Sequence, residues 1–298
     1  MSAQDKPPFP PLDLADRVSS LPETDNALDH FEWLGLMTRQ SIDAALPEDW
    51  NYEGKRLLDF GCGSGRTLRH FLDVAEVAEA WGCDIDRPSI EWLEDNLCPP
   101  LRVFTCEVDP PLKSDRPGLE AGSFDLIWAV SVFTHLAGNS AEWLLELHRL
   151  LKPGGILIAS FMGRLTHQPL TGEPWDERGT GMKAIGLDNP WEKGGPSVFM
   201  SDWWVREHWG RAFEVEIIDA GVETLNQSWA VMKKKPVELT RHPPGRVARV
   251  AGPVGVGRQF GGRERNNRAA SGRMVSSLSK YTSTSCTDGS GDTSTLAR

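Results

Sequence analysis

Thirteen consecutive residues, Leu57 to Arg69 (LLDFGCGSGRTLR), restrict the fold of this chain more than any other stretch. An apolar strand delivers Asp59 and then Gly61, Gly63 and Gly65 into a bend, and alternate glycines allow a backbone path that other residues resist. A ligand can then lie against the main chain, with amides at the start of a following helix hydrogen-bonding its polar groups. Asp84 ends the next apolar stretch, where a carboxylate can accept both hydroxyls of a ribose. A dinucleotide fingerprint would read GxGxxG. Here Arg66 stands where the last glycine belongs, and the spacing is GxGxG.

From Gly54 onward, strand-like and helix-like segments alternate. The strand KRLLDF should lead into a helix with Leu68, Phe71, Leu72 and Ala75 on its apolar face, spaced three and four apart. A second strand is expected at about Val77 to Cys83, a helix at RPSIEWLEDNL, and strands at LRVFTC and SFDLIWAV. The near-continuous hydrophobicity of the last suits burial on both faces, which points to a parallel α/β sheet. Asn139 with Glu142 reads as a capping box, Trp143, Leu144, Leu147 and Leu151 continue the helical stripe, and Pro153, Gly154 and Gly155 stop it before the strand ILIASF. Residues 162–200 are rich in glycine and poor in aliphatics, which predicts a long loop or lid inserted at about 162–200. SDWWVREHWG reads as a short helix with Ser201 as its N-cap, followed by strands AFEVEIIDA and NQSWAVMKK.

Flanking segments have a different character. Residues 1–53 should form a proline-rich arm and a helix across NALDHFEWLGLMTRQSIDAAL able to cover a cofactor cleft, leaving 54–235 as the folded domain. Residues 236–298 carry ten Lys and Arg against four Asp and Glu, and lack hydrophobic periodicity. A disordered basic tail of net charge +6 is expected there, on a body of −16. The acidic body speaks against a broad nucleic-acid surface, which needs Lys and Arg to neutralise phosphates. The longest apolar runs fall short of a membrane span, and the N-terminus lacks a basic start followed by an apolar stretch. Five cysteines without a CxxC pair read as reduced thiols in a cytoplasmic protein, and no ligand cluster of metal-binding spacing is evident.

On these motifs the chain resembles the class I S-adenosylmethionine-dependent methyltransferases, of the type 11/12 methyltransferase-domain kind, from about Arg56 to Ser160. The resemblance implies a Rossmann-like fold, a mostly parallel seven-stranded sheet with helices on both faces, and S-adenosyl-L-methionine as cofactor. It also implies contacts to the methionine part from Asp59, Gly61, Cys62, Gly63 and Gly65, and to the ribose from Asp84. Cys106, Glu107 and Val108 would flank the adenine, and Val130 and Ser131 would lie beneath the cofactor and open toward the acceptor. WAVSVFTHL resembles methyltransferases found beside glycan-modifying enzymes, which suggests a small-molecule or glycan acceptor and O-methylation. The proline-rich segment Asp109 to Gly122 departs from the family, where many members carry a full helix.

If the acceptor is a hydroxyl, His135 is the preferred general base, because it follows the fourth strand and histidine titrates near neutrality. Packing is the competing role for it. Among the tryptophans, Trp203 and Trp204 are expected in the core, whereas Trp175 and Trp191, flanked by turn residues, suit substrate contact. Two alternatives share the same pattern, namely an NAD-linked oxidoreductase and a catalytically idle cofactor-binding scaffold.

Overall fold

The computed structural model describes residues 7–19, 21, 26–76, 78–112, 118–191, 194–219 and 227–235. The expected basic tail, 236–298, lies outside them. Two helices open the chain, α1 (Leu12–Ser19) and α2 (Ala27–Ala45). An alternating core follows: β1 (Arg56–Phe60), β2 (Glu79–Asp84), α3 (Arg87–Leu97), β3 (Arg102–Thr105), β4 (Phe124–Ala129), α4 (Ser140–Leu150) and β5 (Leu151–Phe161). Then come α5 (Arg164–Thr171), a hairpin of β6 (Met182–Ile185) and β7 (Ser197–Met200), α6 (Asp202–His208), β8 (Phe213–Asp219) and β9 (Ser228–Lys234).

Seven strands form one sheet in the order β3-β2-β1-β4-β5-β9-β8. The first five run parallel, and β9 and β8 are antiparallel additions. This is the mostly parallel, seven-stranded architecture expected from the sequence. Side chains of alternate residues leave a strand on opposite faces, and β4 shows the division. Leu126 and Trp128 enter a core with Ile42 of α2 and with Ile90, Leu93 and Leu97 of α3. Ile127 and Ala129 enter the other core, with Leu144 and Leu147 of α4 and Val205 of α6. Helices therefore cover both faces, which is why β4 could not alternate with polar residues. Trp128 stacks on Phe71 at 4.3 Å between ring centroids and 16° between planes, a pairing worth roughly 0.5–1.5 kcal/mol beyond the area it buries.

Three expectations need correction. The helix predicted after the glycine bend is a single 3-10 turn, Leu68–Phe71. Here α2 crowds the bend, since a Cβ on Gly35 would collide with the Arg66 carbonyl. In addition, the buried Arg69 guanidinium donates to the carbonyls of Pro7 (2.6 Å) and Pro8 (3.2 Å). Tertiary contacts thus override the local spacing. Residues 162–200 are also more ordered than a long loop, because α5 and the β6–β7 hairpin occupy much of the segment and Val198, Phe199 and Met200 are fully buried. Finally, Asn139 precedes α4 but its side chain makes no cap. Its amide donates instead to Val108 O (3.0 Å) and Asp109 Oδ1 (2.8 Å). Among the described residues no helix is long and apolar enough to cross a membrane.

Candidate active site

The carboxyl ends of β1, β2 and β4 lie side by side in the sheet, and the marked residues follow them directly. After β1 the chain turns through Gly61 (φ +81°), Gly63 (φ +51°) and Gly65 (φ +82°). A Cβ on Gly61 would collide with Val132 Cγ2, and one on Gly65 would come 2.6 Å from Leu93 Cδ2. Both positions are therefore closed to a side chain by space as well as by torsion.

Hydrogen bonds hold the bend to β2. The amides of Gly61 and Cys62 both donate to Cys83 O (2.8 and 3.0 Å), and Gly65 donates to Cys62 O (2.9 Å). Gly63 donates to Asp84 Oδ2 at 2.7 Å. The α-helix expected to follow the bend is replaced by a 3-10 turn, and four amides of the bend itself are spent on Cys83, Cys62 and Asp84. What the bend offers a ligand is close approach to bare main chain. Asp84 is fixed from its other side by Asp86, whose amide donates to Oδ1 at 2.8 Å. Burial raises the Asp84 pKa, and the two amides oppose that shift. Asp84 is only half-buried, and a carboxylate has about four acceptor positions, so at least one remains beyond the amides that hold it.

Behind the bend, Asp59 is fully buried beside Trp128 and Arg66. Burial pushes its carboxyl up to about 7, with the Arg66 guanidinium pulling the other way. Cys62 is buried too, and its thiol is raised by the same loss of solvent. Beyond β3, Glu107 and Val108 are exposed, while Cys106 is half-buried and donates its amide to Asp84 O at 2.9 Å. The Val108 carbonyl accepts from Trp143 Nε1 (3.0 Å) as well as from Asn139.

After β4 comes Val130 and then Ser131, whose φ of +61° is unusual for a residue with a side chain. Such strain persists only where the surroundings enforce it. Ser131 N donates to the buried Ser160 hydroxyl at 2.7 Å, and Gln227 Nε2 donates to Ser131 Oγ at 3.0 Å. His135 is half-buried on the same turn, and its Nδ1 lies 2.8 Å from the Pro196 carbonyl. A carbonyl only accepts, so Nδ1 carries the proton and Nε2 of the neutral ring is left as the base. Burial lowers the His135 pKa, partly offset by that hydrogen bond.

Sequence reading missed several participants. Ile85, directly after Asp84, exposes 38% of its surface, and an exposed isoleucine beside a buried strand end was a readable signal. Ser160 and Gln227 carry no motif and become visible only through the pairing of β5 with β9. Leu14 of α1 also reaches the bend, its carbonyl accepting from Ser64 Oγ at 3.2 Å. Among the tryptophans, Trp203 is 44% exposed and donates to Glu177 O, contrary to the expected core position. Glu177 Oε1 accepts from the Asp202 amide, so an outside carboxylate caps α6 and the Ser201 hydroxyl does not.

Residues 58–157 match the family model described as a methyltransferase domain, a span running from β1 into β5 and including the bend, Asp84 and His135. The stretch from β1 into β5 is thus similar to a methyltransferase domain. A solved S-adenosylmethionine-dependent methyltransferase from Mesorhizobium loti shares its fold, with a TM-score of 0.51 at 18% identity over 65% of this chain and 96% of that one. A ubiquinone biosynthesis O-methyltransferase of Ruegeria pomeroyi is 32% identical over 139 residues, 44% of this chain and 52% of that protein. A tRNA N(3)-methylcytidine methyltransferase of Schizosaccharomyces pombe is 28% identical over 115 residues, 37% of this chain and 38% of that protein. The chain thus spans about half or less of the length of these two relatives.

Proposed function

We propose that this chain transfers a methyl group from S-adenosyl-L-methionine to a hydroxyl of a small-molecule or glycan acceptor. The observation that carries this reading is the Asp84 carboxylate, which clasps the glycine bend through Gly63 while keeping acceptor capacity at the rim. The residues fit the cofactor. Gly61 and Gly65, pressed against Val132 and Leu93, fix the tight path of the bend, Asp84 can accept the ribose hydroxyls, and Ile85 and Val108 present apolar surface for a planar base. When bound, the cofactor supplies an electrophilic methyl on a sulfonium.

What remains for the protein is to align the acceptor, exclude water and manage one proton. Alignment alone is worth roughly 7–11 kcal/mol in favourable intramolecular models. Val132 lies against Gly61, and the His135 amide donates to Val132 O at 2.9 Å, so the turn carrying the histidine is continuous with the cofactor bend. His135 Nε2 is our choice of general base for the acceptor hydroxyl. The strained Ser131, held by Ser160 and Gln227, shapes the floor between the two sites.

An NAD-linked oxidoreductase is the weaker reading, because pyrophosphate recognition relies on amides and dipole at a helix N-terminus. Here a 3-10 turn of four residues stands in that place. The acidic body also favours a small acceptor over tRNA. The test is calorimetric titration of the full chain with S-adenosylmethionine, S-adenosylhomocysteine and NADH, followed by mass spectrometry of a panel of hydroxylated acceptors. Binding of the two adenosyl ligands and not NADH, with a 14-Da gain on an acceptor, is the expected result. Preference for NADH would overturn the assignment.

A further inference from the structure

A cleft of about 500 Å³ opens between the turn after β4, the residue following Val108, and the β6–β7 hairpin. Its walls include Asp109, His135, Asn139, Leu187, Asn189 and Trp191. We infer that this cleft is the acceptor subsite and that it takes a neutral, polyhydroxylated ring, a sugar residue, with Trp191 as the stacking platform. The inference rests on the methyl-transfer reading above and deepens it.

Three observations carry the assignment. First, Trp191 is preset for stacking. Its indole seats on Gly195 (φ +61°), where a Cβ would come 2.8 Å from Trp191 Cε3, yet the residue remains 40% exposed. One part of the ring is braced by backbone while the rest faces outward, so little freedom is lost when a ligand covers it. Leu187, 69% exposed, extends the apolar wall.

Second, the polar groups suit hydroxyls and not anions. The described lining contains a carboxylate and two amides but no lysine or arginine. A phosphorylated or carboxylated acceptor would meet Asp109 with no cation in the described lining to neutralise it, whereas a ring hydroxyl could donate to Asp109 and exchange hydrogen bonds with Asn189. An aromatic face bordered by such groups matches a sugar, which has apolar C–H faces and a polar equator.

Third, the cleft is tied to both ends of the reaction. His135 lines it, its Nδ1 proton directed to Pro196 of the hairpin side, which leaves Nε2 for an acceptor hydroxyl. The Asn139 amide bonds both Val108 O, beside the expected adenine position, and Asp109 Oδ1 within the cleft. Proton transfer balances without any further reagent. The acceptor O–H proton passes to Nε2, the oxygen forms its bond to the methyl carbon, and the carbon–sulfur bond electrons return to sulfur.

The experiment is saturation-transfer NMR on the full chain with methyl glycosides of common hexoses and the matching hexose 6-phosphates. It is run with wild type, Trp191→Ala, Trp191→Phe and Asp109→Asn, with S-adenosylmethionine titration of wild type alongside. The expected result is binding of at least one neutral glycoside, weakened about tenfold or more in Trp191→Ala, largely restored in Trp191→Phe and reduced in Asp109→Asn. Hexose phosphates should bind more weakly in wild type and gain in Asp109→Asn. Equal glycoside binding by Trp191→Ala, preference for the phosphates, or no glycoside binding at millimolar concentration would each overturn the sugar assignment. Failure of wild type to bind S-adenosylmethionine would instead sink the underlying methyltransferase reading.

Discussion

Replacing Gly61 by alanine tests the glycine bend at its tightest point, and two separable costs can be worked out for it. A residue with a Cβ held at φ +81° pays roughly 1–2 kcal/mol for left-handed backbone. The new methyl also meets Val132 Cγ2, and overpacking of this kind typically costs about 1–3 kcal/mol. Together these predict a destabilisation of about 2–5 kcal/mol, with weakened S-adenosylmethionine binding because the strand end must shift. Truncating the half-buried Val132 to alanine removes the obstructing methyl but leaves the torsional cost. A double-mutant cycle of Gly61→Ala and Val132→Ala should therefore show a favourable coupling of about 1–3 kcal/mol. Urea denaturation of the four proteins supplies the energies, and calorimetry the affinities. If Gly61→Ala lies within about 0.5 kcal/mol of wild type, or the cycle shows no coupling, the bend does not rest on Val132 as described.

Further outcomes follow from other contacts. Asp84→Asn removes the charged acceptor shared by Gly63 and Asp86; hydrogen bonds to charged groups are worth about 1.5–3 kcal/mol, so S-adenosylmethionine affinity should fall some ten- to hundredfold, and an unchanged thermal shift with the ligand would contradict the ribose role. For His135, burial favours the neutral ring in the native state, so its NMR titration midpoint should lie below the ordinary value of about 6.5. Its contribution to stability is then complete above that value and declines as pH falls toward the native midpoint; a midpoint above 6.5 would refute the desolvated setting. Arg69→Met leaves the carbonyls of Pro7 and Pro8 without the guanidinium donor and removes the nearer of two cationic neighbours of Glu32, at 3.2 Å, leaving His70 at 3.8 Å. Faster proteolysis ahead of α2 and a melting temperature lower by several degrees are expected, and an unaltered cleavage pattern would show that this guanidinium does not fasten the segment.

Period and spacing were enough to read the sheet. The strands β1, β2, β4 and β5 are buried on both faces, and the apolar runs around Leu57, Ile127 and Ile158 had no other economical home. Asp84 was readable for a related reason, since a carboxylate ending an apolar strand must sit where the strand meets solvent. From Thr67 to Ala75 the helical spacing misleads, because it cannot register a backbone crowded by α2 or an arginine drawn to distant proline carbonyls. The hairpin at 182–200 was missed because its buried SVFM run has only four residues among glycines. Gln227 and Ser160 were invisible for a topological reason, as nothing local says that β9 will bring residue 227 beside residue 131.

The opening helices bear on how the molecule can be cut. Leu14 takes a hydrogen bond from Ser64 inside the bend, Arg17 pairs with Asp86 at 2.8 Å, and α2 shields Leu68 and Phe71. A fragment trimmed to start at the first strand would keep every sheet residue yet bare the outer side of the glycine bend. Expression designs, affinity tags and crystallisation truncations should therefore spare everything from Pro7 onward, since the glycine bend is propped by residues that lie ahead of the first strand.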